Sequence, residues 1–216
     1  MTANRGDRIA LPALVLVTDA AHLRGRDLAE VARQAVEGGV SIVQLREKGM
    51  PHDDLVALAE RVHAAIAGRA LLFINTDVIA AVRAGAEGVH LPESAPPTAD
   101  IRASVGDHML ISRAVHGIDA ALQAEREGAD LLQLGTVFET ASKPGAAVIG
   151  VDGVREICAR VSIPVVAIGG ITAANAAEVM RAGAAGVAVI GSVLDAADAR
   201  AAAAALRAAI SAPVRA

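Results

Sequence analysis

The sequence predicts an α/β fold, a single (β/α)8 barrel, and two observations carry that reading. Eight short apolar segments rich in Val, Ile and Leu recur along the 216 residues, and alanine-rich stretches with helical spacing lie between them. Near-continuous apolar strands that alternate with helices imply a parallel sheet buried on both faces. Eight such units are the number that closes a barrel. A doubly wound open sheet is the alternative, because the chain is short for a barrel.

The elements follow in order. ALVLVTD (13–19) leads into the helix-patterned DLAEVARQAVEGG (27–39), and SIVQLRE (41–47) into DDLVALAERVHAAIAG (53–68). LLFINT (71–76), GVHLP (88–92), MLISRAV (109–115) and LLQLGTVF (131–138) supply strands three to six. PVVAIGG (164–170) and GVAVIGS (186–192) supply the last two. VDGVREICARV (151–161), AANAAEVMRAGA (173–184) and DAADARAAAAALRAAI (195–210) have the apolar spacing and alanine content of helices. Four junctions, EGGVSIVQL, AGAEGVHL, EGADLLQL and AGAAGVAVI, each place a glycine just past a helix, where a left-handed cap is needed, and then a strand. Residues 1–216 read as one domain, with no linker, charge block or low-complexity tract.

Composition narrows the function classes. A 54% hydrophobic content supports a full core. A net charge of -4 gives no basic footprint, and two Phe with no Trp or Tyr remove the usual base-stacking platforms, so nucleic acid is excluded as a partner. The single cysteine, Cys158, has no internal disulfide partner and reads as a small buried apolar group in a reducing compartment. The apolar run at 9–17 is broken by Pro12 and too short to span a membrane. A soluble, cytoplasmic protein is expected, and the helix patterns leave a homo-oligomer open.

In a barrel, the polar residues at strand C-terminal ends form the site. Side chains alternate along a strand, so Gln44, Arg46 and Lys48 share one face and climb toward the mouth. Burying unpaired charge is costly, so that face wants an anionic ligand or open water. Ser112, Ala114 and His116 share a face of the fifth strand, with His116 at the mouth, able to move a proton near neutral pH. His90 reads as a hydrogen-bonded core or rim residue, and His22, His52, His63 and His108 as solvated. The run at 136–145 offers Thr140, Ser142 and Lys143 on a loop that can act as a lid. Gly169 and Gly170 after the seventh strand, with Gly191 and Ser192 after the eighth, make a phosphate cradle of bare N–H groups.

The ordered set QLREK (44–48), IN (74–75), GVHL (88–91), SRAVH (112–116), GADLLQLGTVFETASK (128–143), IPVVAIGGIT (163–172) and GVAVI (186–190) resembles the thiamine-phosphate synthases and their thiazole tautomerase relatives. The resemblance runs over nearly the whole chain. It implies a single-domain (β/α)8 barrel and a thiazole phosphate as ligand, with Gly169, Gly170, Gly191 and Ser192 around its phosphate and Asn75 in the binding site.

The two branches differ in chemistry. Synthases join hydroxymethylpyrimidine diphosphate to the thiazole phosphate, and the departing diphosphate calls for Mg2+, which prefers carboxylate oxygens. The resemblance puts an Asp after the Asn of the third strand and another beyond GVHL. Here those positions hold Thr76 and Ala95, while Asp77 falls one residue late and Glu93 two early. GVHLPES and GTVFETASK also look more like the tautomerase branch. The first expectation is therefore a metal-independent tautomerase, with His116 transferring a proton to aromatise a carboxythiazole phosphate and Arg46 or Lys48 pairing with its carboxylate. The alternative is a Mg2+-dependent synthase, for which the polar set at 44–48 and 140–143 argues. A non-catalytic barrel that binds thiazole or thiamine phosphates is the third.

Overall fold

The computed structural model describes residues 5–140, 142, 145 and 147–212. Its strands are β1 (Ala13–Val17), β2 (Ile42–Leu45), β3 (Leu71–Asn75), β4 (Gly88–Leu91), β5 (Leu110–Val115), β6 (Leu131–Leu134), β7 (Val165–Ile168) and β8 (Gly186–Val189). They are parallel and close in sequence order, with Ala13 to Leu16 of β1 pairing Gly186 to Val189 of β8, which rules out the open sheet. Among the described residues the α-helices are α1 (Leu28–Glu37), α2 (His52–Ile66), α3 (Val78–Arg83), α4 (Thr98–Val105), α5 (Ile118–Arg126), α6 (Gly150–Cys158), α7 (Ala176–Arg181), α8 (Gly191–Leu194) and α9 (Ala199–Ser211). None is long and apolar enough to cross a membrane.

Every predicted strand is present, and all but the fifth, which keeps its end at Val115, are trimmed at the C-terminal end where the chain leaves the sheet to build the mouth. The junction glycines behave as the four repeats predict: Gly39, Gly85, Gly128 and Gly183 all take positive φ between a helix and the next strand. Helix starts are fixed by short polar side chains. Asp27, Asp77 and Asp198 each accept a hydrogen bond from the N–H three residues on, opening α1, α3 and α9. Cys158 closes α6 half-buried, and burial pushes its thiol up to about 11, so it stays protonated and unreactive.

Period-two alternation sorts the strands into two cores. Outward residues such as Leu14, Leu16, Val43, Leu45, Leu72, Ile74, Val89 and Leu132 pack beneath the helices. Inward residues Ala13, Val15, Val17, Ile42, Phe73, Leu110, Leu131, Val166 and Ala188 fill the barrel. Phe73 is the bulkiest of these, 1% exposed, and it lies over Gly88 of the neighbouring strand. A Cβ on Gly88 would stand 2.6 Å from the ring, so the glycine is what lets an aromatic ring occupy so narrow a lumen.

Gly88→Ala is therefore expected to destabilise the protein by about 1–3 kcal/mol through overpacking. Phe73→Leu introduced in the same chain should recover part of that loss. Urea denaturation of the two single variants and the double variant measures the coupling.

Candidate active site

Toward the C-terminal ends of the strands the inward side chains change from apolar to polar. Gln44, Asn75, His90, Ser112 and Gln133 form this layer. Gln44 Nε2 donates to Asn75 Oδ1 at 3.2 Å, and Asn75 Nδ2 donates to Thr76 Oγ1 at 2.8 Å. His90 Nδ1 lies 3.0 Å from Ser112 Oγ, inside the barrel. Burial, aided by the positive charges of Arg46 and Arg113, pushes His90 down to about 3, so it is neutral across the physiological range. It is the core histidine its position in GVHL predicts. Ser112 is also buried, with its hydroxyl engaged by His90. It belongs to the floor of the site, because β5 still has three residues to run beyond it.

Above that layer lies the mouth. Arg46 sits one residue past the end of β2, with its guanidinium 3.5 Å from Asp19 and close enough to His90 to act on it electrostatically. Its neighbour Glu47 turns aside: Thr18 Oγ1 donates to it at 2.6 Å and the Ala20 N–H at 2.9 Å, and the Arg46 N–H donates to Thr18 Oγ1. These bonds stitch the ends of β1 and β2 together. The expected alternation holds for Gln44 and Arg46 but not for Lys48. The strand ends at Leu45, and Lys48 is exposed in the following turn.

His116 stands one residue past β5 at the rim, as expected, and its Nδ1 lies 2.5 Å from Glu93 Oε2. The sequence pattern gives His116 no partner and places Glu93 only as a carboxylate two residues early for a metal position. Three histidines read as solvated also have carboxylate partners: His22 with Asp195 at 3.0 Å, His52 with Asp77 at 2.7 Å and His63 with Glu87 at 3.2 Å. Sequence separations of 24 to 173 residues hide such pairs from any local pattern. His108 is exposed as expected.

Gly169–Gly170 and Gly191–Ser192 follow the adjacent strands β7 and β8. Ser192 Oγ donates to the Ile171 carbonyl at 2.6 Å and braces the segment after β8 on the loop after β7, which Asn175 Nδ2 closes by donating to the Gly170 carbonyl at 2.9 Å. Gly169 and Gly170 have a second reason to be glycine. A Cβ on Gly169 would stand 2.7 Å from Thr136 Cγ2, and one on Gly170 2.5 Å from the Glu139 carbonyl oxygen. The loop after β6 packs directly against them. Thr140 is half-buried there, Ser142 is exposed with its N–H donating to Thr140 Oγ1, and Lys143 lies outside the described residues.

The residues present do not fit a divalent ion held by carboxylates at the two positions the resemblance points to. Thr76 and Ala95 have no carboxylate, Asp77 is committed to the start of α3 and to His52, and Glu93 is paired with His116. Among the described residues no three His, Cys, Asp or Glu side chains gather as a metal-holding group.

The fold is a closed (β/α)8 barrel whose mouth gathers a polar floor, an inward arginine, a rim histidine and the adjoining loops after β7 and β8. The particular family follows from comparison. The family model for thiamine monophosphate synthase matches residues 14–193, and the chain belongs to that family. It is 45% identical over 201 residues, 92% of each chain, to the thiamine-phosphate synthase of Chloroflexus aurantiacus. With that of Methanoculleus marisnigri it shares 43% over 196 residues, 90% of this chain and 93% of the other. The solved thiamine phosphate pyrophosphorylase of Pyrococcus furiosus superposes with a TM-score of 0.85 at 35% identity, covering 96% of this chain and 98% of that one. Thiamine biosynthesis is thus the protein's setting, and these relatives bear the name of the synthase branch rather than of the tautomerase that the motif details put first.

The buried His90 sets an acid limit on stability. Its folded value lies below its ordinary 6.5, so the unfolded chain binds the proton first. Stability from keeping His90 neutral is complete above about 6.5 and is lost as pH falls from there toward about 3. His90→Gln is expected to flatten that part of the stability profile, measured as urea midpoints between pH 7 and pH 4.

Proposed function

We propose that this protein is a thiamine-phosphate synthase, joining hydroxymethylpyrimidine diphosphate to a thiazole phosphate with release of diphosphate. The observation that carries the reading is extended identity to proteins bearing that name, 45% and 43% over nine-tenths of the chain or more. The mouth suits two anionic substrates. Arg46 supplies a cation above the polar floor, with one carboxylate 3.5 Å away and the rest of its donors open to an oxyanion. Gly169, Gly170, Gly191 and Ser192 offer backbone N–H groups to the thiazole phosphate. Gln44 and Asn75 meet a ring edge from below, and Thr140, Ser142 and Lys48 add polar contacts at the rim. No step of the coupling is assigned to a carboxylate-held metal ion.

A second reading has its own observation. His116 with Glu93 beside it is an acid–base arrangement that joining two substrates does not require. It suits isomerisation of a carboxythiazole phosphate, in which a proton leaves a ring carbon and returns to the exocyclic carbon as the ring becomes aromatic. His116 can carry that proton, which leaves the substrate's charge unchanged and needs no leaving group.

The test is to incubate the purified protein with hydroxymethylpyrimidine diphosphate and thiazole phosphate, and separately with the carboxythiazole phosphate, each with Mg2+ and with EDTA. Thiamine phosphate formed from the pair is the expected result. Isomerisation without coupling moves the assignment to the second reading, and tight binding of thiazole phosphate with neither product makes the barrel a non-catalytic binding protein. In the active assay Arg46→Ala should lower kcat/KM by roughly 10- to 100-fold, the loss of about 1.5–3 kcal/mol for a charged hydrogen bond.

A further inference from the structure

The loop after β4 is built to hold Glu93 still. It runs through Pro92, Pro96 and Pro97, whose rings fix three backbone angles, and the Ala95 N–H closes a turn onto the Pro92 carbonyl at 2.9 Å. Its fastening is Arg113, an outward-facing residue of β5 that is only 8% exposed. The Arg113 guanidinium donates to the carbonyl oxygens of Pro96 at 2.7 Å, Ala95 at 2.9 Å and Glu93 at 3.0 Å. An arginine side chain buried to satisfy three carbonyls of one short loop is a clamp, since a loop left to itself would turn those carbonyls to water. The clamped loop then presents the Glu93 carboxylate to His116 Nδ1, three residues beyond Arg113 and one past the end of β5.

An ionised carboxylate can only accept, so the hydrogen of this bond sits on Nδ1 of the imidazole. In the neutral ring this selects the tautomer whose Nε2 keeps its lone pair, and among the described residues Nε2 has no partner. Both side chains of the pair are nearly half exposed, at 48% and 43%. Exposed pairs of this kind contribute little to stability. Orientation of the ring is what such a pair supplies, as carboxylates do for histidines in acid–base sites.

We propose that Glu93 is a positioning residue for His116, held in place by the Arg113 clamp, so that the ring presents a basic Nε2 to the substrate at the mouth. The inference rests on His116 working in the site, as the isomerase reading under Proposed function has it, and it assigns Glu93 to that imidazole rather than to a metal ion.

Two measurements test it independently. The first is the nitrogen spectrum of 15N-histidine-labelled protein at neutral pH, which reports tautomers without any turnover. In its neutral form His116 should show a protonated Nδ1 and a bare Nε2, and Glu93→Gln should shift that form toward a mixture of the two tautomers. An unchanged His116 pattern in Glu93→Gln overturns the proposal whether or not the protein isomerises anything. The second is kinetic, on the carboxythiazole phosphate. Glu93→Gln should lower kcat by roughly 10- to 100-fold, the usual effect of losing a residue that orients a working histidine, with KM nearly unchanged. Glu93→Asp should recover part of the loss. The Glu93→Gln, His116→Gln double variant should be no slower than His116→Gln alone. Wild-type kcat in Glu93→Gln, or losses that multiply in the double variant, would overturn the coupling. If His116→Gln is itself fully active, the isomerase reading fails while the tautomer measurement still decides whether Glu93 orients the ring.

Discussion

Everything at the mouth of this protein depends on how a narrow eight-stranded barrel fills its own lumen. The lower layers are plugged by Val15, Ile42, Phe73, Leu110 and Leu131, with Gly88 making room for the one ring. The next layer is polar, and its members satisfy one another: Gln44 with Asn75, and His90 with Ser112. Burial keeps His90 neutral, so the floor adds no charge of its own. Arg46 therefore stands as an inward cation over a neutral polar floor, a setting in which an anionic ligand is favoured because the surroundings are poorer in water than the open surface.

Around that floor the fold spends its carboxylates on structure. Glu47 ties β1 to β2, Asp77 opens α3 and meets His52, Asp195 meets His22, and Glu93 meets His116. Each is placed by loops that leave strand ends in slightly different directions, which is how one barrel architecture hosts different chemistries. The loops after β6, β7 and β8 pack so closely that Gly169 and Gly170 are excluded from bearing a Cβ by their neighbours alone. Those glycines thus serve the packing of the mouth.

The fold was legible in the sequence because it rests on local signals repeated eight times: apolar runs of strand length, helical spacing between them, and glycines at helix ends that take positive φ. Gln44, Arg46, His90 and His116 were legible for the same reason, since alternation along a strand reaches them. It does not reach Lys48, because β2 stops at Leu45, and it cannot see that Ser112 is consumed by His90. The Glu93–His116 pair was hidden for a different reason. It depends on the path of the loop after β4, and that path is set by Arg113, an outward residue whose role is visible only when the carbonyls around it are counted. Motif detail at Thr76 and Ala95 pointed toward the isomerase branch, whereas whole-chain similarity points toward the synthases. Local residues report on a ligand set, and overall identity reports on descent.

The account stands most directly on where charge resides at the rim: a cation facing the ligand, and a glutamate given to a histidine. Anomalous diffraction from crystals grown with diphosphate and Mn2+ reads this in one experiment. The account predicts diphosphate density beside Arg46 and the glycine loops, with Glu93 still on His116 and no manganese on Glu93 or Asp77. A manganese peak coordinated by Glu93 and Asp77, with His116 released, would contradict it.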